Sequence, residues 1–338
     1  MKKNLIYISA VCALLCSCSN TDNPADNKDN GITKALSVSS TSMDAFATRA
    51  ATELTTDGAA IGMFLKDDAG SGYVAADNSN VKYVYTAANT PKWGEATTAD
   101  VIYLNNNNAQ VCAYYPYAGT VTDATAVALI SQENLLDGSK DLSYSIYNTD
   151  PLNNKNNGIA LTMNHAYAKI TFSITRDPSY AGTCAITNVK LEDATNPDSK
   201  IIASSFLNIT DGNYAAVGTD PLTEAILGAV NISVDATTAV YDGIADATTP
   251  TPEDVSVLMV PVLALDDLTK ISFTVDSNLM STTLDTSFST GTLKALAAGT
   301  NYKINVTIKG KGLQITKVDI TDWVDDTSLA TPLEPVIE

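Results

Sequence analysis

The chain has 338 residues, a hydrophobic fraction of 45% and a formal net charge of −18. The length allows about two domains, and the hydrophobic content argues against a disordered tail. The charge argues against nucleic acid and anionic membrane surfaces as partners, because both are held through clustered Lys and Arg.

Lys2 and Lys3 precede an apolar run from Leu5 to Leu15, which is followed by Leu15-Cys16-Ser17-Cys18 and a polar tract. A basic start, a short apolar run and small residues before a cut describe a secretory signal peptide. The run is too short to span a bilayer, which needs about 20 apolar residues. Leu15 at −3, with Cys16 and Ser17 before Cys18, resembles a bacterial lipobox. On that reading 1–18 is the leader, and Cys18 becomes the acylated (palmitate-bearing) first residue of a lipoprotein. Cys16 fits less well, since Leu15 would stand where a small residue is wanted. An ordinary signal peptide with incidental cysteines is the alternative. Residues 19–30 are rich in Asn and Asp and read as a solvated tether. From Gly31 to Arg49, Ile32, Leu36 and Val38 share one parity, which predicts a weak strand.

Beyond Ala50 the dominant signal has period two. Val81, Tyr83 and Tyr85 alternate with Lys82, although Val84 blurs the pattern. Ile170, Phe172 and Ile174 alternate with Thr171, Ser173 and Thr175; Ile271, Phe273 and Val275 repeat the pattern. Tyr302, Ile304, Val306 and Ile308 against Lys303, Asn305, Thr307 and Lys309 is the cleanest case. Such alternation buries one face and wets the other. Turn formers separate the runs, among them Asn105 to Asn108, Asn153-Asn154, Asp177-Pro178 and Asp211-Gly212. At most one or two helical turns are expected, at Thr292 to Leu296. Short strands with frequent turns predict an all-β chain of two tandem antiparallel β-sandwich domains with little helix. The Asn-rich loop before Ile159 places a boundary near residue 160, giving domains at 50–160 and 161–323 and a tail at 324–338. Pro332 and Pro335 bar the tail from a central strand, though an extended edge segment is allowed.

The chemistry of catalysis is sparse. His165 is the one histidine, and no CxxC, G-x-S-x-G or phosphate-loop motif occurs. A lone His at a strand start reads as structural, with no neighbour in sequence to orient it as a base. Cys112 and Cys184 are the cysteines beyond the leader, and they read as small buried strand residues although a disulfide is open to them. Tyr83, Tyr85 and Trp93, with Tyr114-Tyr115-Pro116-Tyr117, could stack on sugars, but alternating aromatics in strands are more often core. No enzyme, cofactor or metal is expected.

Several segments together resemble the fimbrillin family, the pilin-like lipoproteins of a protease-activated (type V) Gram-negative pilus. They are IGMFL (61–65), KWGEATTADVIYL (92–104), VCAYYPYAG (111–119), DLSYSIY (141–147), LTMNHAYAKITFSI (161–174) and the closing LAAGTNYKINVTIKGKGLQITKVDITDW (296–323). The resemblance implies transthyretin-like sandwiches and a structural role supporting adhesion. It implies export as an outer-membrane lipoprotein, then cleavage by an Arg-specific protease that removes the lipid and a first strand. A strand from another copy or a related pilus subunit would fill the groove left behind. Here the cut would fall between Arg49 and Ala50, making 19–49 a tether and removable strand. The tail would be the candidate donor, with Leu333 and Ile337 on one parity and Val336 on the other. A tethered monomer that binds glycans or host ligands is the competing reading, and it needs neither Arg49 nor the tail.

Overall fold

The structure, a computed structural model, describes residues 33–43, 54, 56–67, 70–73, 78–96, 101–133, 141–193, 201–215, 226–227, 230–233, 241–242, 254–262, 269–283 and 295–322. The described residues are all strands, turns and loops, with no helix among them. Leu296, at the end of the possible helical segment, instead exchanges backbone hydrogen bonds with Val262.

A seven-stranded sheet dominates the N-terminal half. Its order is Ser37–Met43, Gly158–His165, Ser143–Ser145, Val111–Tyr115, Ala60–Leu65, Val81–Tyr85 and Trp93–Glu95. The sheet curls until its two end strands approach each other, within 8 Å between Cα atoms in places. Its inner face holds Leu36, Val38, Ile61, Met63, Tyr83, Trp93, Leu161 and Met163 in one core. The outer face, through Phe64, Cys112, Tyr114 and Tyr144, packs on Val127, Leu129, Leu207, Ile209, Leu258 and Val260. Covering both faces explains why Ala60–Leu65 and Val111–Tyr115 read as near-continuous apolar runs rather than alternations.

In the C-terminal half a sheet ordered Gly312–Asp322, Thr300–Lys309, Ala168–Arg176, Asp254–Met259 and Gln132–Glu133 faces one ordered Val230–Ser233, Ile186–Asp193, Thr269–Val275 and Asn278–Thr283. Ile170, Phe172, Ile304 and Val306 from the first meet Val189, Ile271 and Phe273 from the second, with Phe172 and Phe273 edge-to-face at 5.4 Å. A further small sheet joins Val127–Ile130 to Ile202–Asn208. Residues 127–133 therefore pair with strands from much later in the chain and tie the halves together.

Two features depart from simple alternation between neighbouring antiparallel strands. Ala168–Arg176 runs parallel to Thr300–Lys309, and Ser37–Met43 runs parallel to Gly158–His165; most other pairings are antiparallel. Parallel neighbours need a long crossover, so sequence spacing alone could not pair them. Thr171 and Ser173, expected to face water, are buried. Thr171 donates to Asn301 Oδ1 at 2.8 Å and lies 3.3 Å from the Ser256 hydroxyl, so its polar group is satisfied inside.

Local geometry explains particular residue choices. A Cβ at Gly62 would sit 2.7 Å from Tyr114 Cζ and closer still to its Cε1. Tyr114 is locked by donating to Ala118 O at 2.7 Å and contacting Asn80 Oδ1 at 2.8 Å, so it cannot step aside. Gly62→Ala should lower stability by about 1–3 kcal/mol through overpacking, read as a drop in the urea midpoint with an unchanged slope. An unchanged midpoint would show that Tyr114 does move.

Asp276 organises the turn before Asn278–Thr283. Its carboxylate accepts from Thr183 Oγ1 at 2.5 Å, Cys184 N at 2.9 Å, Ala185 N at 3.0 Å and Tyr180 OH at 2.9 Å. The Thr183 hydroxyl, then the Cys184 and Ala185 amides, hold its carboxyl well below the usual carboxylate range. Because the folded-state pKa is depressed, this stabilisation is present above the unfolded value of about 3.9 and is lost as pH falls through the lower folded value. Asp276→Asn should reduce stability at pH 7 by about 1.5–3 kcal/mol, the range for hydrogen bonds to a charged group. The loss should shrink as pH falls below about 4. A loss constant from pH 7 to pH 3 would assign the effect to shape rather than charge.

Candidate functional site: the N-terminal strand at the sheet edge

Ser37–Met43 lies in a slot at one end of the seven-stranded sheet. Its register along Gly158–His165 runs from Ser37 opposite Gly158 to Met43 opposite Met163, with a shift between Ile159 and Ala160. Ser39 is the extra residue at that bulge, and its hydroxyl donates to Ile159 O at 2.9 Å. Leu36 is 4% exposed and Val38 0%, both within the inner core. Thr41, also buried, donates its hydroxyl to Leu54 O at 3.5 Å, and its backbone carbonyl accepts from Leu54 N at 3.1 Å. Just upstream, Lys34–Ala35 pairs with Tyr103–Leu104, Leu36 N donates to Ile102 O at 2.8 Å, and Asn157 Nδ2 donates to Ala35 O at 2.6 Å.

The slot beneath the strand is apolar. Ile159, Leu161 and Met163 of the neighbouring strand point into the same core as Leu36 and Val38. Tyr83 OH donates to Leu36 O at 3.3 Å, and burial pushes this phenol up to about 12, keeping it a donor at any physiological pH. Without Ser37–Met43, one sheet edge and an apolar stripe would meet water, which sheet proteins avoid. The arrangement offers hydrogen bonding and burial to an extended strand and presents no reactive group.

The weak strand expected within 31–49 is thus present as Lys34–Ala35 and Ser37–Met43. Cys18, Arg49, Ala50, Leu333, Val336 and Ile337 lie outside the described residues, as does the segment 44–53 between the strand and Leu54. Sequence reasoning missed Thr41, Leu54 and Asn157 as partners, since nothing in local pattern links them. The floor was partly visible as the shared parity of Ile159, Leu161 and Met163.

His165 has a partner that the sequence did not suggest. Asp141 Oδ2 lies 2.6 Å from its Nδ1, and both side chains are nearly enclosed. Antiparallel pairing of Ser143 with His165 brings the two together across 24 residues of chain. The pair braces adjacent strands inside the sheet. Tyr83, Tyr85, Trp93 and Tyr114 are all buried, with Tyr85 and Trp93 edge-to-face at 5.4 Å, so these aromatics are core and offer no exposed sugar platform. Cys112 and Cys184 are buried in different cores and form no disulfide with each other.

Fold and site together define an all-β module whose sheet edge is completed by its own N-terminal strand. The sequence model of the fimbrillin-like family matches residues 48–323, beginning after that strand and ending before the tail. The chain belongs to the fimbrillin-like family, which supports a structural, non-enzymatic role in a cell-surface pilus alongside other subunits. Among solved structures, a candidate cell adhesion protein of Bacteroides uniformis is similar at 19% identity and a TM-score of 0.57, covering 86% of this chain and 99% of that one. A second, from Bacteroides ovatus, matches at 14% identity and a TM-score of 0.59, covering 87% and 99%. At such identities these likenesses speak for the fold alone. No curated protein matches the chain in sequence.

Proposed function

We propose that this protein is a pilus subunit exported as an outer-membrane lipoprotein, activated by Arg-specific cleavage after Arg49 and polymerised by strand exchange, in support of adhesion. The observation that carries the proposal is the place of Ser37–Met43: upstream of Arg49, at a sheet edge, with Leu36 and Val38 in the core. A cut after Arg49 severs that strand from the domain it completes. Its departure would open an apolar slot along Gly158–His165, and the tail, through Leu333, Val336 and Ile337, would supply the strand that refills a neighbour's slot. On this reading residues 19–49 are a tether and plug, and the mature chain starts at Ala50. Purified precursor treated with an Arg-specific protease should yield an N-terminus at Ala50 and then form polymers visible by electron microscopy. Cleavage at Ala50 with no polymer at any concentration would defeat the proposal.

Lipidation has its own test. Cys18→Ala should abolish labelling with a palmitate analogue and leave an unprocessed precursor. Undiminished labelling would move the acylated residue to Cys16.

A further inference from the structure

Asn157 holds the start of the N-terminal strand at two points. Its backbone carbonyl accepts from Ser37 N at 2.8 Å, and its side-chain Nδ2 donates to Ala35 O at 2.6 Å. The residue after it is Gly158. In an Asn-Gly pair the glycine amide can attack the preceding carboxamide with little hindrance, because glycine has no Cβ to shield its nitrogen.

The fold leaves that nitrogen available. Gly158 stands opposite Ser37 in a parallel ladder, with Ser37 N bonded to Asn157 O. In such a ladder Ser37 bonds to the residues on either side of Gly158, so the Gly158 N–H points away from the N-terminal strand. On the other side, Ser143–Ser145 pairs with Gly158–His165 at Asn164 and His165, far from Gly158. Gly158 is exposed, Asn157 is half-buried, and the bond from Asn157 to Ala35 O is open to water.

We propose that Asn157 is a site of self-deamidation whose product unfastens the start of the N-terminal strand. The Gly158 nitrogen, giving up its proton to solvent, bonds to Asn157 Cγ. The Cγ–Nδ2 bond breaks, Nδ2 leaves as ammonia, and a succinimide ring remains. Water then opens the ring at either carbonyl, leaving aspartate or isoaspartate; water is the one co-reactant. The hydrogen bond to Ala35 O ties the carboxamide down and slows the attack. Lys34–Ala35 is a two-residue pairing with both residues exposed, and such an end frays at little cost, freeing the carboxamide each time.

The product cannot refasten the strand. A carboxylate accepts hydrogen bonds and donates none, so Ala35 O meets a second acceptor where it had a donor. Isoaspartate also adds a methylene to the backbone and moves Gly158 out of register with Ser37. The change is irreversible and needs no cleavage, so it stands apart from the strand-exchange reading.

Full-length protein incubated in mildly alkaline buffer and then digested with trypsin tests the site. Peptide 156–169, between Lys155 and Lys169, should accumulate aspartate and isoaspartate forms at position 157. The same dipeptide at Asn30-Gly31, outside the described residues, gives an internal reference for the rate. A Cβ at Gly158 meets nothing within 4 Å, so Gly158→Ala should keep the fold and slow conversion at Asn157 by about tenfold or more. Leu36→Ala, which loosens the strand, should speed conversion at Asn157 and leave Asn30 unchanged. In Asn157→Asp, hydrogen exchange across residues 34–43 should be about two- to tenfold faster, the ratio one net hydrogen bond sets. Asn157 intact after Asn30 has converted in full, or Gly158→Ala converting as fast as the unaltered chain, overturns the site. Unchanged exchange in Asn157→Asp overturns the unfastening.

Discussion

Arg49→Ala should leave the subunit monomeric after exposure to an Arg-specific protease, while the unaltered chain is cut and polymerises. Full burial of Leu36 and Val38 is worth about 1.5–3 kcal/mol each, so withdrawing the uncut strand from its slot costs about 3–6 kcal/mol before any ladder bond is counted. At about 1.4 kcal/mol per tenfold, spontaneous opening is suppressed by a factor of about 10²–10⁴. Covalent continuity through Arg49 then returns the strand to its slot each time it leaves. The other arginine, Arg176, ends the strand Ala168–Arg176, pairs with Ile308 and donates from Nε to Tyr180 O at 3.1 Å. A protease needs an extended substrate, and freeing Arg176 would mean breaking a sheet. Sedimentation of treated Arg49→Ala should show one species at the monomer position. Polymers of normal length from that variant would sink the cleavage switch.

Truncation after Asp325 should give a subunit that folds, accepts a strand and cannot donate one. Every strand that pairs among the described residues ends by Asp322, so the folded body should keep its thermal midpoint. Leu333 and Ile337 would contribute about 1.5–3 kcal/mol each when buried in a neighbour, and their loss removes the anchor of each junction. Mixed with intact protein after protease treatment, the truncated subunit should cap growing ends, shortening mean polymer length in proportion to its mole fraction. Alone it should stay monomeric. Long polymers from the truncated protein alone would exclude the tail as donor and leave a strand displaced from the body as the alternative.

Much of the fold was legible in local pattern because a strand with one dry face prints period two into its sequence. Tyr302 to Ile308 is the clearest instance: each odd neighbour is partly exposed, and each residue of the set is buried. The pattern failed where both faces are covered. Phe64 and Cys112 belong to a different core from Met63 and Ala113, and only the packing of Leu207, Ile209 and Leu258 against them makes that second core. Thr171 looked wet by alternation and is dry because Ser256 and Asn301 satisfy it.

By itself the sequence determined the all-β class, the family and the single early arginine, since each is written in contiguous residues. It also marked Leu36 and Val38 as a strand, without saying where the strand goes. Only the tertiary structure decided that this strand is a parallel edge strand beside Gly158–His165, held by Asn157, Leu54 and Tyr83. Tertiary structure likewise placed Asp141 on His165 and threaded residues 127–133 into the far half. The reason is common to all of these: partners separated by tens to more than a hundred residues are selected by how sheets close over a shared core, and periodicity within a strand carries no address for its neighbour.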